Sequence, residues 1–172
     1  MMRYMRIGLM AVLITAGIVV LPDGVAAQAA PTIALEPVSA SVAYGSGNVA
    51  VQLMAHDVPT VGSFEVIVRY DATRLSFASF TGGPFLGSTG RSVKCPAVIT
   101  DTDTVKAGCY TFGSTPAPPS GSGLLATFFF TPSASGTANL SFDEKDEIGD
   151  AFAANVPVEA QVTRIAARES AD

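Results

Sequence analysis

A chain of 172 residues has room for one domain and an N-terminal leader, and 15 acidic against 10 basic residues set its net charge at −5. That balance argues against a nucleic-acid partner, because phosphate backbones are held by clustered Lys and Arg. It suits a soluble extracellular protein.

Residues 1–29 read as an export signal. Arg3 and Arg6 form a positive n-region, 7–21 is predominantly apolar, and Pro22, Asp23 and Gly24 end the run. Both Val25-Ala26-Ala27 and Ala27-Gln28-Ala29 fit the small-x-small cleavage rule, which puts the mature start within 27–30. The apolar run falls short of the roughly 20 residues that a bilayer-spanning helix needs, so no membrane span is expected in the mature form. No Cys stands near the cleavage region to accept a lipid.

The remainder is expected to be a single domain over 32–166 with a short polar tail over 167–172. Helical periodicity is nearly absent from it, and alternation of period 2 recurs. Residues 32–42 are apolar and β-branched but carry Pro37, which predicts an edge strand with a break. After a turn at 44–48, Val49, Val51, Leu53 and Ala55 alternate with Ala50, Gln52, Met54 and His56, a strand with one buried face. The clearest strand is 62–70, with Phe64, Val66, Val68 and Tyr70 facing one way and Ser63, Glu65, Ile67 and Arg69 the other. Beyond the turn at 71–74, the pattern over 75–80 sets Leu75, Phe77 and Ser79 against Ser76, Ala78 and Phe80.

Gly82, Gly83, Pro84, Gly87 and Gly90 mark a loop. Strands near 92–100 and 104–112 flank Asp101-Thr102-Asp103 as a hairpin and bring Cys95 opposite Cys109 or close to it. Cross-strand partners sit near the Cβ separation a disulfide requires, and an oxidising compartment makes that bond the expected state. Closing a loop of about 15 residues stabilises a fold by roughly 3 kcal/mol in the chain-entropy model. Two thiols and a distant His56 are too few for a metal site.

The Pro- and Ser-rich stretch 114–123 is a surface loop. Residues 124–131, apolar almost throughout and including Phe128, Phe129 and Phe130, suit a central strand covered on both sides. Over 137–142 the alternation turns Ala138, Leu140 and Phe142 inward and Thr137, Asn139 and Ser141 outward. An acidic loop at 143–150 and a closing strand at 156–165 complete the chain. Nine short strands with frequent turns predict an all-β sandwich of two sheets.

Nothing in the sequence assembles a catalytic constellation. His56 is read as a surface residue, no nucleophile motif comes with a base and an orienting acid, and no Gly-rich phosphate loop opens a helix. Cys95 and Cys109 lack C-x-x-C spacing. No enzyme activity and no cofactor are therefore expected. The acidic run Asp143-Glu144-Lys145-Asp146-Glu147 with Asp150 fits no calcium-loop spacing and is read as a solvated loop, and the sequon Asn139-Leu140-Ser141 as a chance match. With no Trp in the chain, Tyr44 and Phe85 are the evident exposed aromatics, a poor platform for stacking sugar rings.

Several segments, in their order and spacing, resemble the cohesin domains of bacterial extracellular assemblies. They are Asp57-Val58-Pro59-Thr60-Val61-Gly62; Phe64-Glu65-Val66-Ile67-Val68-Arg69-Tyr70-Asp71 followed by Leu75-Ser76-Phe77; Ser122-Gly123-Leu124-Leu125-Ala126-Thr127-Phe128-Phe129-Phe130; and the late loop between Phe142 and Phe152. The resemblance covers 32–166. It implies a nine-stranded jelly-roll sandwich that binds dockerins, small calcium-loaded helical modules carried by polysaccharide-degrading enzymes, on a flat face of the third, fifth, sixth and eighth strands. Carried onto this chain, that face takes Ser63, Glu65, Ile67 and Arg69 from the third strand and Thr137, Asn139 and Ser141 from the eighth, with Glu65 in a hydrogen-bonding role. The Cys95–Cys109 pair and the Pro-rich loop are not general features of the family. The leading expectation is thus a secreted, non-catalytic module binding a dockerin-like or other extracellular protein in polysaccharide handling. A carbohydrate-binding module, with polysaccharide as ligand, is the main rival, and a structural spacer is the third reading.

Overall fold

The computed structural model describes residues 30–45, 47–143, 147–149, 159–161 and 163–168. The expected export signal over 1–29, half of the acidic loop, part of the expected closing strand at 156–165 and the end of the tail lie outside the described residues. Among the described residues, no helix is long and apolar enough to cross a membrane.

Strands run in the order β1 (Thr32–Pro37), β2 (Ser41–Ala43), β3 (Val49–Val58), β4 (Ser63–Tyr70), β5 (Leu75–Gly82), a 3-10 turn (Phe85–Gly87), β6 (Val93–Lys94), β7 (Ile99–Thr100), β8 (Thr104–Thr111), β9 (Gly121–Pro132), β10 (Gly136–Phe142), β11 (Glu147–Gly149), β12 (Glu159–Gln161) and β13 (Thr163–Arg168). They form two sheets. One has five strands, ordered β12-β1-β3-β9-β5; the other has eight, ordered β2-β13-β10-β4-β8-β6, with β11 also on β4 and β7 also on β8. This is the expected sandwich, drawn from more segments than nine. Three of the expected strands are each split in two, and β11 is added.

The splits have local causes. Pro37 ends β1, and the chain crosses to the other sheet to form β2 against β13. Pro96 has no N–H to give a ladder and separates β6 from β7. At the far end β12 pairs with β1 in the five-stranded sheet, while β13 pairs with β10 in the other. Residues 32–37 are consequently not an edge, since β1 is flanked by β3 and β12.

The core lies between the sheets and is built as the alternation requires. Val49, Val51, Leu53 and Ala55 of β3 and Phe64, Val66 and Val68 of β4 are all buried. Phe128 and Phe130 of β9 meet them from the middle of the five-stranded sheet, with Tyr70 5.2 Å and Phe77 6.0 Å from the Phe130 ring. Each fully buried side chain of this size contributes about 1.5–3 kcal/mol by leaving water.

Three inward–outward readings need correction. The alternation sets Phe80 opposite Leu75 and Phe77, yet its ring packs on Phe128 at 5.2 Å. A β-bulge between Phe77 and Ser79 inserts one residue and reverses the facing of everything after it. The second is β9. It is central, between β3 and β5, but its outer side is only partly covered, with Thr127 and Phe129 half-buried and Thr131 exposed. Phe85, read as exposed, is buried in the 3-10 turn and lies over β9 at Gly123.

Candidate functional site

The outer side of the eight-stranded sheet gathers the residues singled out from the sequence. Along β4, Ser63, Glu65, Ile67 and Arg69 alternate with buried Phe64, Val66, Val68 and Tyr70; along β10, Thr137, Asn139 and Ser141 alternate with buried Ala138 and Leu140. All seven share one face. Ser141 stands directly across from Arg69. Thr137 and Asn139 lie beyond the end of β4, across from Ala166 and Arg164 of β13.

Charge pairs order the middle of this face. The Arg69 guanidinium donates to Asp143 Oδ2 at 2.7 Å and to Asp103 Oδ2 at 3.4 Å. The hydrogen bond to Asp143, with the charge of Asp103 next, raises the Arg69 pKa above its ordinary value. Lys106 of β8 pairs with Glu65 across 2.6 Å. Exposed pairs of this kind contribute little to stability, but they fix where the charges sit. Between them stand apolar groups: Ile67, and Ile99 of β7, which is 65% exposed. Both are cross-strand partners of Lys106.

The sequence reading missed the contribution of β8 and its neighbours. Tyr110, 42% exposed, is on the same outer side as Lys106, and Phe112, just past the end of β8, is 51% exposed. The signal for Tyr110 was present in the hairpin: with Val105, Ala107 and Cys109 inward, Lys106, Gly108 and Tyr110 must face out. Tyr44 is exposed as expected.

Cys95 and Cys109 are joined by a disulfide, as the hairpin predicts. Lys94 faces Tyr110 in the ladder, so Cys95 falls beside Cys109. The bond rests on Gly82 of the other sheet, where an added Cβ would come within 2.7 Å of the Cys95 sulfur. Nearby, Arg91 is almost fully buried. Its Nε donates to Thr111 Oγ1 at 2.9 Å, and its two terminal nitrogens donate to the Pro116 and Gly113 carbonyls at 2.5 Å each. The Val61 N–H donates to Pro119 O at 2.9 Å. Together these tie the Pro-rich loop to the body of the sandwich. Nothing in the sequence flagged Arg91, a lone cation among loop glycines.

His56 lies on the outer side of the five-stranded sheet, with Nε2 2.8 Å from Glu36 Oε1. Among the described residues, no three His, Cys, Asp or Glu side chains converge to hold a metal. A shallow cleft at one end of the sandwich is lined by Pro31, Asp57, Val58, Pro59 and Ser120, with no aromatic ring to stack a sugar.

No protein-family model matches the chain. No curated protein matches it in sequence. Solved structures match it in fold. A non-cellulosomal cohesin from the archaeon Archaeoglobus fulgidus has a TM-score of 0.64 at 20% identity, covering 82% of this chain and 93% of the other. The sixth cohesin of Acetivibrio cellulolyticus scaffoldin B, solved in complex with a Cel5 dockerin mutant, has a TM-score of 0.66 at 16% identity over 81% of this chain and all of its own. A type II cohesin domain from the cellulosome of the same organism reaches 0.69 at 12% identity, over 80% and 95% of the two chains. The chain has the cohesin fold.

Proposed function

We propose that this chain is a non-catalytic docking module, exported by its N-terminal segment, that binds a dockerin-like protein on the outer side of its eight-stranded sheet. Ser63, Glu65, Ile67 and Arg69 form the centre of that surface, with Ser141 beside them and Thr137 and Asn139 at its β13 side. The observation that carries this reading is their common face. Seven residues chosen by alternation and resemblance fall on one side of one sheet, with Arg69 and Glu65 held in place by ion pairs and Ile67 between them. Fixed charges around an apolar centre give specificity through electrostatic complementarity and affinity through apolar contact. The likeness in fold to a cohesin solved with a dockerin supports the class of partner, and a role in extracellular polysaccharide breakdown follows from that class.

The test is calorimetry against a panel of dockerin modules, with and without calcium. Calcium-dependent binding to at least one is expected, and Glu65→Ala and Arg69→Ala should each weaken it several-fold while leaving the melting temperature unchanged. Equal affinity in both variants would remove this face from consideration. Binding to a sugar array with no dockerin bound would favour the carbohydrate reading, and neither result would leave the spacer.

A further inference from the structure

At one edge of the eight-stranded sheet, three observations converge. Tyr110 exposes its ring on the outer side and Phe112, just past the end of β8, is exposed as well, with Thr111 buried between them. Tyr110 is flanked in the ladder by Ser63 on one side and Lys94 on the other, so its ring continues the face described above. Arg69, Arg74 and Lys106 each have a carboxylate partner, whereas Lys94 has none among the described residues.

The edge is also unusually well fastened. The Cys95–Cys109 disulfide joins the β6 side to β8, one residue from Tyr110. Arg91 grips the Thr111 hydroxyl and the carbonyls of Gly113 and Pro116 on either side of the chain leaving Phe112. Exposed aromatics on a surface that cannot relax lose little entropy when a partner covers them, which is how rigid anchor residues dominate binding energy.

We propose that Tyr110, Phe112 and Lys94 form the anchor of the docking surface and take an apolar side chain flanked by a carboxylate, presented by a partner protein. The rings accept the apolar group, and the Lys94 ammonium pairs with the carboxylate. A neutral polysaccharide would leave that ammonium without a counter-charge. Cys95–Cys109 and Arg91 are positioning groups that hold the rings. This inference rests on the docking reading above and names the chemistry recognised at one edge of it.

A display library of random linear peptides, selected on the intact disulfide-bonded protein, tests it without a dockerin. Peptides with an apolar residue next to Asp or Glu should be enriched. A synthetic copy of the best should lose about tenfold or more in affinity with Tyr110→Ala and with Phe112→Ala. Lys94→Glu should redirect selection towards peptides carrying Lys or Arg, and all three exposed substitutions should leave the melting temperature in place. The proposal is overturned by absence of enrichment, by winners without a carboxylate preference, or by affinity indifferent to both aromatic substitutions. It is equally overturned if the rings prove necessary only for binding polysaccharide. A dockerin lost with Arg69→Ala but kept with Tyr110→Ala and Phe112→Ala would sink the anchor and leave the wider face standing. A dockerin panel without binders, beside a carboxylate-selecting edge, would do the reverse.

Discussion

On the outer side of the five-stranded sheet, the cross-strand rows Ala50–Phe129–Ser79 and Gln52–Thr127–Thr81 carry no charge, and the Glu36–His56 contact lies on β1 and β3. On the outer side of the eight-stranded sheet, Arg69 meets Asp103 and Asp143, Lys106 meets Glu65, and Ile67, Ile99 and Tyr110 stand among them. Both surfaces are backs of sheets over the same core, and both obey the same alternation. They differ in which outward side chains find opposite charges across a ladder. The lesson is that facing and function separate: burial decides that a residue points out, and only cross-strand neighbours decide whether the outward set is an organised surface. In the eight-stranded sheet the pairing holds charges at fixed places around apolar groups, the arrangement a protein partner can read.

The comparison breaks most completely when the shared support is removed. Phe128 is fully buried beneath the uncharged face and packs on Phe80. Phe128→Ala should cost about 3–5 kcal/mol in denaturant unfolding and abolish partner binding with it. A loss under 1 kcal/mol would mean that the two sheets do not depend on this contact.

A sharper cut separates the faces. The double substitution Cys95→Ser with Cys109→Ser opens a loop joining residues 14 apart in sequence, and should cost ~3 kcal/mol in the chain-entropy model. Hydrogen exchange should then quicken at 93–100 and at the end of β8, on the charged side. β3 and β9 should keep their order of protection. Uniform acceleration in both sheets would show that the bond stabilises the whole sandwich without favouring one edge.

The smallest effect belongs to the turn joining the sheets between β4 and β5. Asp71 accepts hydrogen bonds from the Thr73 hydroxyl at 2.6 Å and from its N–H at 3.0 Å, and pairs with Arg74 at 3.3 Å. The Thr73 hydroxyl first, with the Thr73 N–H and Arg74 after it, holds this carboxylate below its ordinary pKa. A depressed carboxylate contributes stability that is fully present above the ordinary range and is lost as pH falls through its folded value. Thr73→Val should therefore move the midpoint of acid unfolding, followed by circular dichroism, to higher pH. An unmoved midpoint would mean that Asp71 is not coupled to folding.

Much of this was legible in the residues. Alternation over 49–56 and Ser63–Tyr70 gave the buried and outward sets without error, because a side-chain period of two leaves no freedom once one face is apolar. The hairpin at 92–112 was enough to pair Cys95 with Cys109. Phe80 was misread because one inserted residue at a bulge inverts all that follow, and the insertion shows only against the partner strand, β9. Phe85 was misread because a Gly- and Pro-rich loop looks exposed in sequence, while its position over Gly123 is a tertiary contact.

Local pattern by itself determined that the domain is a two-sheet sandwich and which side of each central strand meets water, since both follow from neighbours along the chain. Three-dimensional packing alone decided that Arg91 would be buried to hold the Pro-rich loop, that β8 would add Lys106 and Tyr110 to the face of β4, and that charges far apart in sequence would pair across it. The physical reason is range. Facing is set two residues at a time, whereas an ion pair between Arg69 and Asp143, or a guanidinium's choice of carbonyls, exists only after strands distant along the chain have found their register.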